Sequence, residues 1–143
     1  MAAGKTIDDC ILYIQAQAGK IPGMRQAPAR VEDMANAFPF VQSYPAGGNF
    51  AGGNCPMVAT HDIITEIHVA RKDAPRDLSQ VMPYLERFAR SFYYDSTTTL
   101  ADATLGGNAR HFDTLNYSFV TFDWGGFETV GFRFTFKGVK IMD

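Results

Sequence analysis

His61-Asp62, His68 and His111-Phe112-Asp113 place all three histidines of this chain beside acids, and imidazoles with carboxylates are the usual raw material of a divalent-metal site. The spacing argues otherwise. His61 and His68 differ by an odd number of residues, so on one regular strand their side chains point to opposite faces. His-Asp pairs that hold metal in phosphohydrolases lie on helices with further ligands, whereas the context here is that of a strand. The expectation is surface or satisfied core histidines and no metal site. The run Gly47-Gly48-Asn49-Phe50-Ala51-Gly52-Gly53-Asn54 invites a phosphate-cradle reading. It lacks the Lys-Ser or Lys-Thr that ends a P-loop, and it is not GxGxxG before a helix. Neither Cys10 nor Cys55 sits in a nucleophile motif, no GxSxG occurs, and the carboxylates are scattered without a concentrated pair. The chain is therefore expected to be no enzyme, with no catalytic residue and no cofactor.

The elements around these residues follow from spacing. Thr6 with Asp9 three residues later resembles a capping box, and Ile7, Ile11, Ile14 and Ala18 recur at helical intervals before Gly19 and Pro22. This predicts a short amphipathic helix over 6–18. Residues 20–57, rich in Gly, Pro, Asn and Ala, read as largely irregular, with a possible edge strand at Phe38-Pro39-Phe40-Val41 and Tyr44; 47–54 must then be a loop. From Val58 to Lys72 the pattern alternates, with His61, Ile63, Thr65, Ile67 and Val69 on one face, which predicts a long strand. Asp73, Pro75 and Asp77 carry helix-start chemistry. Leu78, Val81, Met82, Leu85, Phe88, Ala89 and Phe92 then repeat at spacings of 3 and 4, with a kink or restart expected at Pro83. Residues 112–122 and 127–137 read as two strands of a hairpin joined through Asp123-Trp124-Gly125-Gly126. The predicted fold is one α+β domain over 1–143: a mixed or antiparallel sheet of about four strands, two helices on one face, and a long Gly/Pro-rich loop.

Composition narrows the function classes. The 143 residues carry 13 Lys and Arg against 15 Asp and Glu, so the formal net charge of −2 supplies no general attraction to phosphate backbones. No apolar run approaches the ~20 residues of a membrane span, and none resembles a signal peptide. The two cysteines, without CxxC spacing, read as reduced thiols. Twelve Phe, six Tyr and one Trp exceed what such a small domain needs for its core. Phe50, Tyr44, Tyr93, Tyr94 and Trp124 fall outside the predicted core faces, where aromatic residues often anchor interfaces.

The order of elements resembles the tail terminator proteins of long-tailed bacteriophages. The resemblance rests on the helix from Thr6 to Ala18, the wandering Gly/Pro segment, and the strand Ile63-Ile64-Thr65-Glu66-Ile67-His68-Val69. It continues through the helix around Leu78-Ser79-Gln80-Val81-Met82-Pro83-Tyr84-Leu85, the Thr99-Leu100 pair and the closing strands. It implies a structural virion protein, made in the host cytoplasm, whose copies form a hexameric ring on the last ring of the tail tube. Such a ring stops polymerisation of the tube protein and offers its other face to a head-completion or neck protein, while genome DNA passes through without specific binding. No catalytic residue transfers. Expected assembly contacts are Asn49, Phe50 and Asn54 in the loop, Arg71 and Arg76 at the strand-to-helix corner, and Trp124 at the hairpin tip. Competing readings are another neck or head-completion connector, or a small ligand-binding α+β domain whose aromatic hairpin lines a pocket.

Overall fold

The computed structural model describes residues 6–28, 39–51, 58–71, 82–93, 105, 107–124 and 127–141. Among these residues it is an α+β fold with two helices and a curled antiparallel sheet of five strands. Helix α1 (Ile7–Gly19) starts where the capping box places it: the Thr6 amide donates to Asp9 Oδ2 at 2.8 Å, and the Asp9 amide donates back to Thr6 Oγ1 at 3.3 Å. Both bonds satisfy donors that the first helical turn would otherwise leave open. Its buried stripe is Cys10, Ile11, Ile14, Gln15 and Ala18. Helix α2 (Pro83–Tyr93) begins at Pro83, where a ring without an N–H costs a helix nothing. The expected helical turns over 73–81 lie outside the described residues.

Strands β1 (Phe40–Ala51) and β2 (Val58–Arg71) form one antiparallel pair, and β5 (Phe127–Ile141) lies on the far side of β2. The other flank of β5 is shared end to end by β3 (Ala109–His111) and β4 (Thr114–Trp124). Among the described residues, β1 thus forms one edge, and β4 with β3 forms the other. Pairing of β4 with β5 runs unbroken from Thr114↔Lys137 to Trp124↔Phe127, which leaves two residues for the connection, the length that suits a Gly-Gly hairpin turn.

Alternation along β2 sorts the two faces. Ile63, Thr65, Ile67 and Val69 are buried toward the helices, where Ile63, Thr65 and Ile67 lie opposite Phe136, Phe134 and Phe132 of β5. Phe88 of α2 stacks on Phe134 with ring centroids 4.1 Å apart, and Phe92 meets Phe136 edge-on at 5.2 Å. Ile11 and Ile14 of α1 belong to the same core. Each such fully buried side chain contributes about 1.5–3 kcal/mol relative to exposure, so this aromatic layer is the main adhesive between helices and sheet. Phe132, Phe134 and Phe136 are therefore core residues.

One polar bridge crosses that layer. Gln15 donates to the Val41 carbonyl at 3.1 Å, its own Oε1 accepts from Ser43 Oγ at 2.7 Å, and Ser43 Oγ lies 2.8 Å from Thr65 Oγ1. The bridge ties α1 to β1 and β2 in a single register, because each of these buried groups would lose its partner in a shifted one.

One expectation needs correction. Residues 47–51, read as loop, are strand, paired from Gly47↔Asp62 to Ala51↔Val58. Weak intrinsic β-propensity is overridden there by ladder pairing, after the extra residue Ala46 shifts the register between Pro45 and Gly47. Residues 52–54 of that run lie outside the described residues. The expected sheet of about four strands is found with five among the described residues, the short β3 extending the line of β4 beyond a break at Phe112-Asp113. A three-residue strand carries too little periodicity to register in sequence.

Candidate functional site

Two regions outside the helix-facing core carry unusual chemistry: a buried polar cluster on the opposite face of the sheet, and the two sheet edges. The cluster centres on Glu66, which cross-strand pairing sets between Gln42 of β1 and Arg133 of β5. Tyr44 donates a short hydrogen bond to Glu66 Oε2. Gln42 Nε2 donates to Oε1 at 3.3 Å, and Arg133 Nη2 reaches Oε2 at 3.5 Å. His68 Nε2 lies 3.1 Å from Oε1. A carboxylate only accepts, so Nε2 carries the hydrogen, and in the neutral ring Nδ1 accepts from the Thr129 hydroxyl at 2.6 Å. Phe40 and Phe122 flank the imidazole at centroid distances of 5.8 and 4.2 Å.

Electrostatics assigns this cluster a holding role. Burial alone would push the Glu66 carboxyl up, but hydrogen bonds from His68, Tyr44 and Gln42 outweigh it and keep the group below the ordinary glutamate range. Burial, then the bond to Glu66, pushes the Tyr44 phenol up to about 12. A carboxylate held ionised by four donors is a poor proton acceptor, and a phenol so raised is a poor proton donor. What the arrangement does is lock β1, β2 and β5 side by side. His68 is thus a satisfied buried histidine. Among the described residues, no group of three or more His, Cys, Asp or Glu side chains is placed to hold a metal ion.

The edges are different. β4 pairs with β5 on one side and, among the described residues, with no strand on the other. On its helix-side face Tyr117 is 60% and Phe119 48% exposed, at the rim of the core beside Phe132 and Phe134. Among the described residues, β1 is closed on its outer side at its start, where the Val41 amide donates to the Gln26 carbonyl at 3.0 Å. Farther along, Phe50 is 68% exposed and touches His61 edge-on at 5.7 Å.

Charge is distributed against the usual pattern. Sheet edges are ordinarily protected by charged residues, lysine above all, because their unpaired backbone groups invite other strands. Here the inner strands carry Asp62, Glu66, Arg71, Glu128, Arg133, Lys137 and Lys140, while the two long edge strands carry Asp123 alone and the short β3 in line with β4 adds Arg110.

The residues singled out from sequence divide between the two ends of the sheet. Asn49 and Phe50 lie exposed in β1, where Asn49 pairs with Thr60 and Thr60 with Lys140. Arg71 closes β2 opposite Thr129, and Trp124 closes β4 opposite Phe127. Asn54 and Arg76 lie outside the described residues. Sequence reasoning missed Tyr117 and Phe119, because their alternation with Asn116 and Ser118 is what any half-buried strand shows. The signal that finds them is the run 114–122, which carries no charged residue.

No family model matches this sequence, and no curated protein is significantly similar to it.

Proposed function

We propose that this chain is a structural subunit of a closed ring, acting as the tail terminator of a long-tailed bacteriophage. Its copies, six on the resemblance of its element order, cap the tail tube, stop the tube protein from adding further rings, and present the other face to a head-completion protein. The observation that carries the reading is the pair of long edge strands, uncharged except for Asp123 near the end of β4, with exposed aromatic residues on one sheet. A ring needs two different, complementary surfaces on each subunit, and a sheet with two open edges supplies them. The net charge of −2 suits a channel through which DNA must slide, since a slightly acidic protein offers few cations to exchange for the counterions of the duplex.

The test is tube growth. Purified tail-tube protein polymerised with and without this chain, and imaged in negative stain, should give capped tubes of restricted length in its presence. Light scattering should find a ring mass for the chain alone or bound to tube ends. Tubes of unchanged length at saturating protein refute the terminator role; binding to heads or tube ends without arrest of growth assigns the chain to another neck component.

A further inference from the structure

We propose that the joint between neighbouring copies is a strand-to-strand one, in which residues 116–120 of β4 pair antiparallel with residues 47–51 of β1 in the next copy. This deepens the ring reading and rests on it.

Three observations select the partner and the register. The first is direction. Crossing the sheet, β1, β2, β5 and β4 alternate, so β1 and β4 run in opposite senses. Rotation about a ring axis carries strand directions with it, so the β4 of one copy meets the β1 of the next antiparallel, continuing the pattern of the sheet itself. The second is which parts of the edges are open among the described residues. The start of β1 is closed by Gln26, and Pro45 with the extra residue Ala46 ends regular pairing just beyond it. That leaves 47–51 as the half able to accept a strand. On β4, 116–120 contains no Pro, Gly, charge or bulge.

The third is side-chain fit. In the register Phe50↔Tyr117, Asn49↔Ser118 and Gly48↔Phe119, the three exposed aromatic side chains come together on the helix-side face. Gly48 cannot carry a side chain, because a Cβ would collide with the Thr60 carbonyl of its own sheet. It therefore presents bare backbone, and a ring from the adjacent strand, here Phe119, covers an edge glycine well. Polar Asn49 and Ser118 fall together on the other face.

The register has a geometric consequence. Asn49 is level with Lys140 of β5, and Ser118 with Arg133, so successive copies step by the interval from 133 to 140 along the strands. A sheet that closes on itself requires a stagger of this kind, with its strands inclined to the axis.

The experiment uses the full chain with Cys55→Ser, leaving the buried Cys10 in place. Asn49→Cys and Ser118→Cys are introduced singly and together; both positions are exposed, and circular dichroism melts verify that the variants fold like the parent. Mild oxidation with copper phenanthroline at ring-forming concentration should convert the double variant, and neither single variant, into a ladder of disulfide-linked multimers ending at the ring size. Tyr117→Lys should weaken ring formation at least tenfold by light scattering. Rings that form normally while the double variant stays unlinked overturn the edge joint and leave the ring reading standing. Linked dimers from Ser118→Cys alone overturn it differently, by showing that β4 pairs with its own symmetry mate. A chain that stays monomeric both in solution and with tail tubes sinks the ring reading itself, and the joint with it.

Discussion

Replacing Glu66 by Gln isolates what the buried carboxylate contributes. The shape is kept, but the charge is lost and one accepting oxygen becomes an amide that faces donors. Hydrogen bonds to an ionised group contribute about 1.5–3 kcal/mol each, and a buried donor left unmatched costs about 1–3 kcal/mol. Glu66 accepts from Tyr44, Gln42, His68 and Arg133. One oxygen survives in the variant, so the expected loss is roughly 2–4 kcal/mol at neutral pH, against roughly 3–5 kcal/mol for Glu66→Ala, which strands both basic partners. The pH dependence supplies the sharper test. Hydrogen bonds outweigh burial and hold the folded-state pKa of Glu66 below its ordinary value. Its stabilisation is therefore fully present above the unfolded glutamate pKa of about 4.3 and is lost as pH falls through the folded value. The other carboxyl groups titrate alike in both proteins, so as the pH drops from about 5 toward about 3 the difference between parent and Glu66→Gln should shrink. Urea unfolding followed by circular dichroism, at one protein concentration and several pH values, measures it. A gap of constant size across that range would refute the assignment of the stabilisation to an ionised Glu66.

Phe88→Ala should cost about 3–5 kcal/mol and lower the melting temperature on the order of 10 °C, because the ring is fully buried and stacked on Phe134; a loss below about 1 kcal/mol would show that α2 does not clamp the sheet. Burial, helped by Asp9, pushes the Cys10 thiol up to about 11. At pH 8 only about one molecule in a thousand holds the thiolate, so peptide mapping after iodoacetamide treatment should find Cys10 unmodified in the folded chain and modified in urea.

Legibility from sequence tracked how local the governing physics is. The start of α1 was readable because a capping box is a four-residue device, and its bonds are the ones found. The long strand β2 was readable because alternation over many residues leaves little choice. The pairing of β4 with β5 was readable through the Gly125-Gly126 pair that separates them in the sequence. The strand at 47–51 was not, since glycines that pair across a sheet look like glycines in a loop until their partner is known. Nor was the cluster at Glu66: its members come from three strands, and only the register of β1, β2 and β5 brings Gln42, Tyr44 and Arg133 to one carboxylate. The exposure of Tyr117 and Phe119 depends on where the helices stop covering the sheet, which no local pattern encodes.

The position of β5 bears on how the molecule is made. It follows in the chain every strand that it joins, yet it is the one that links the β1–β2 pair to β3 and β4. At ordinary synthesis rates, roughly 4–14 s separate the completion of β2 from that of β5. During that interval the emerging hairpin holds its inner flank open, and β4 has no ladder to lie on. A nascent subunit therefore cannot offer both of its outer margins to neighbours until translation has passed Ile141, so unfinished chains are kept out of any assembly that needs the two together.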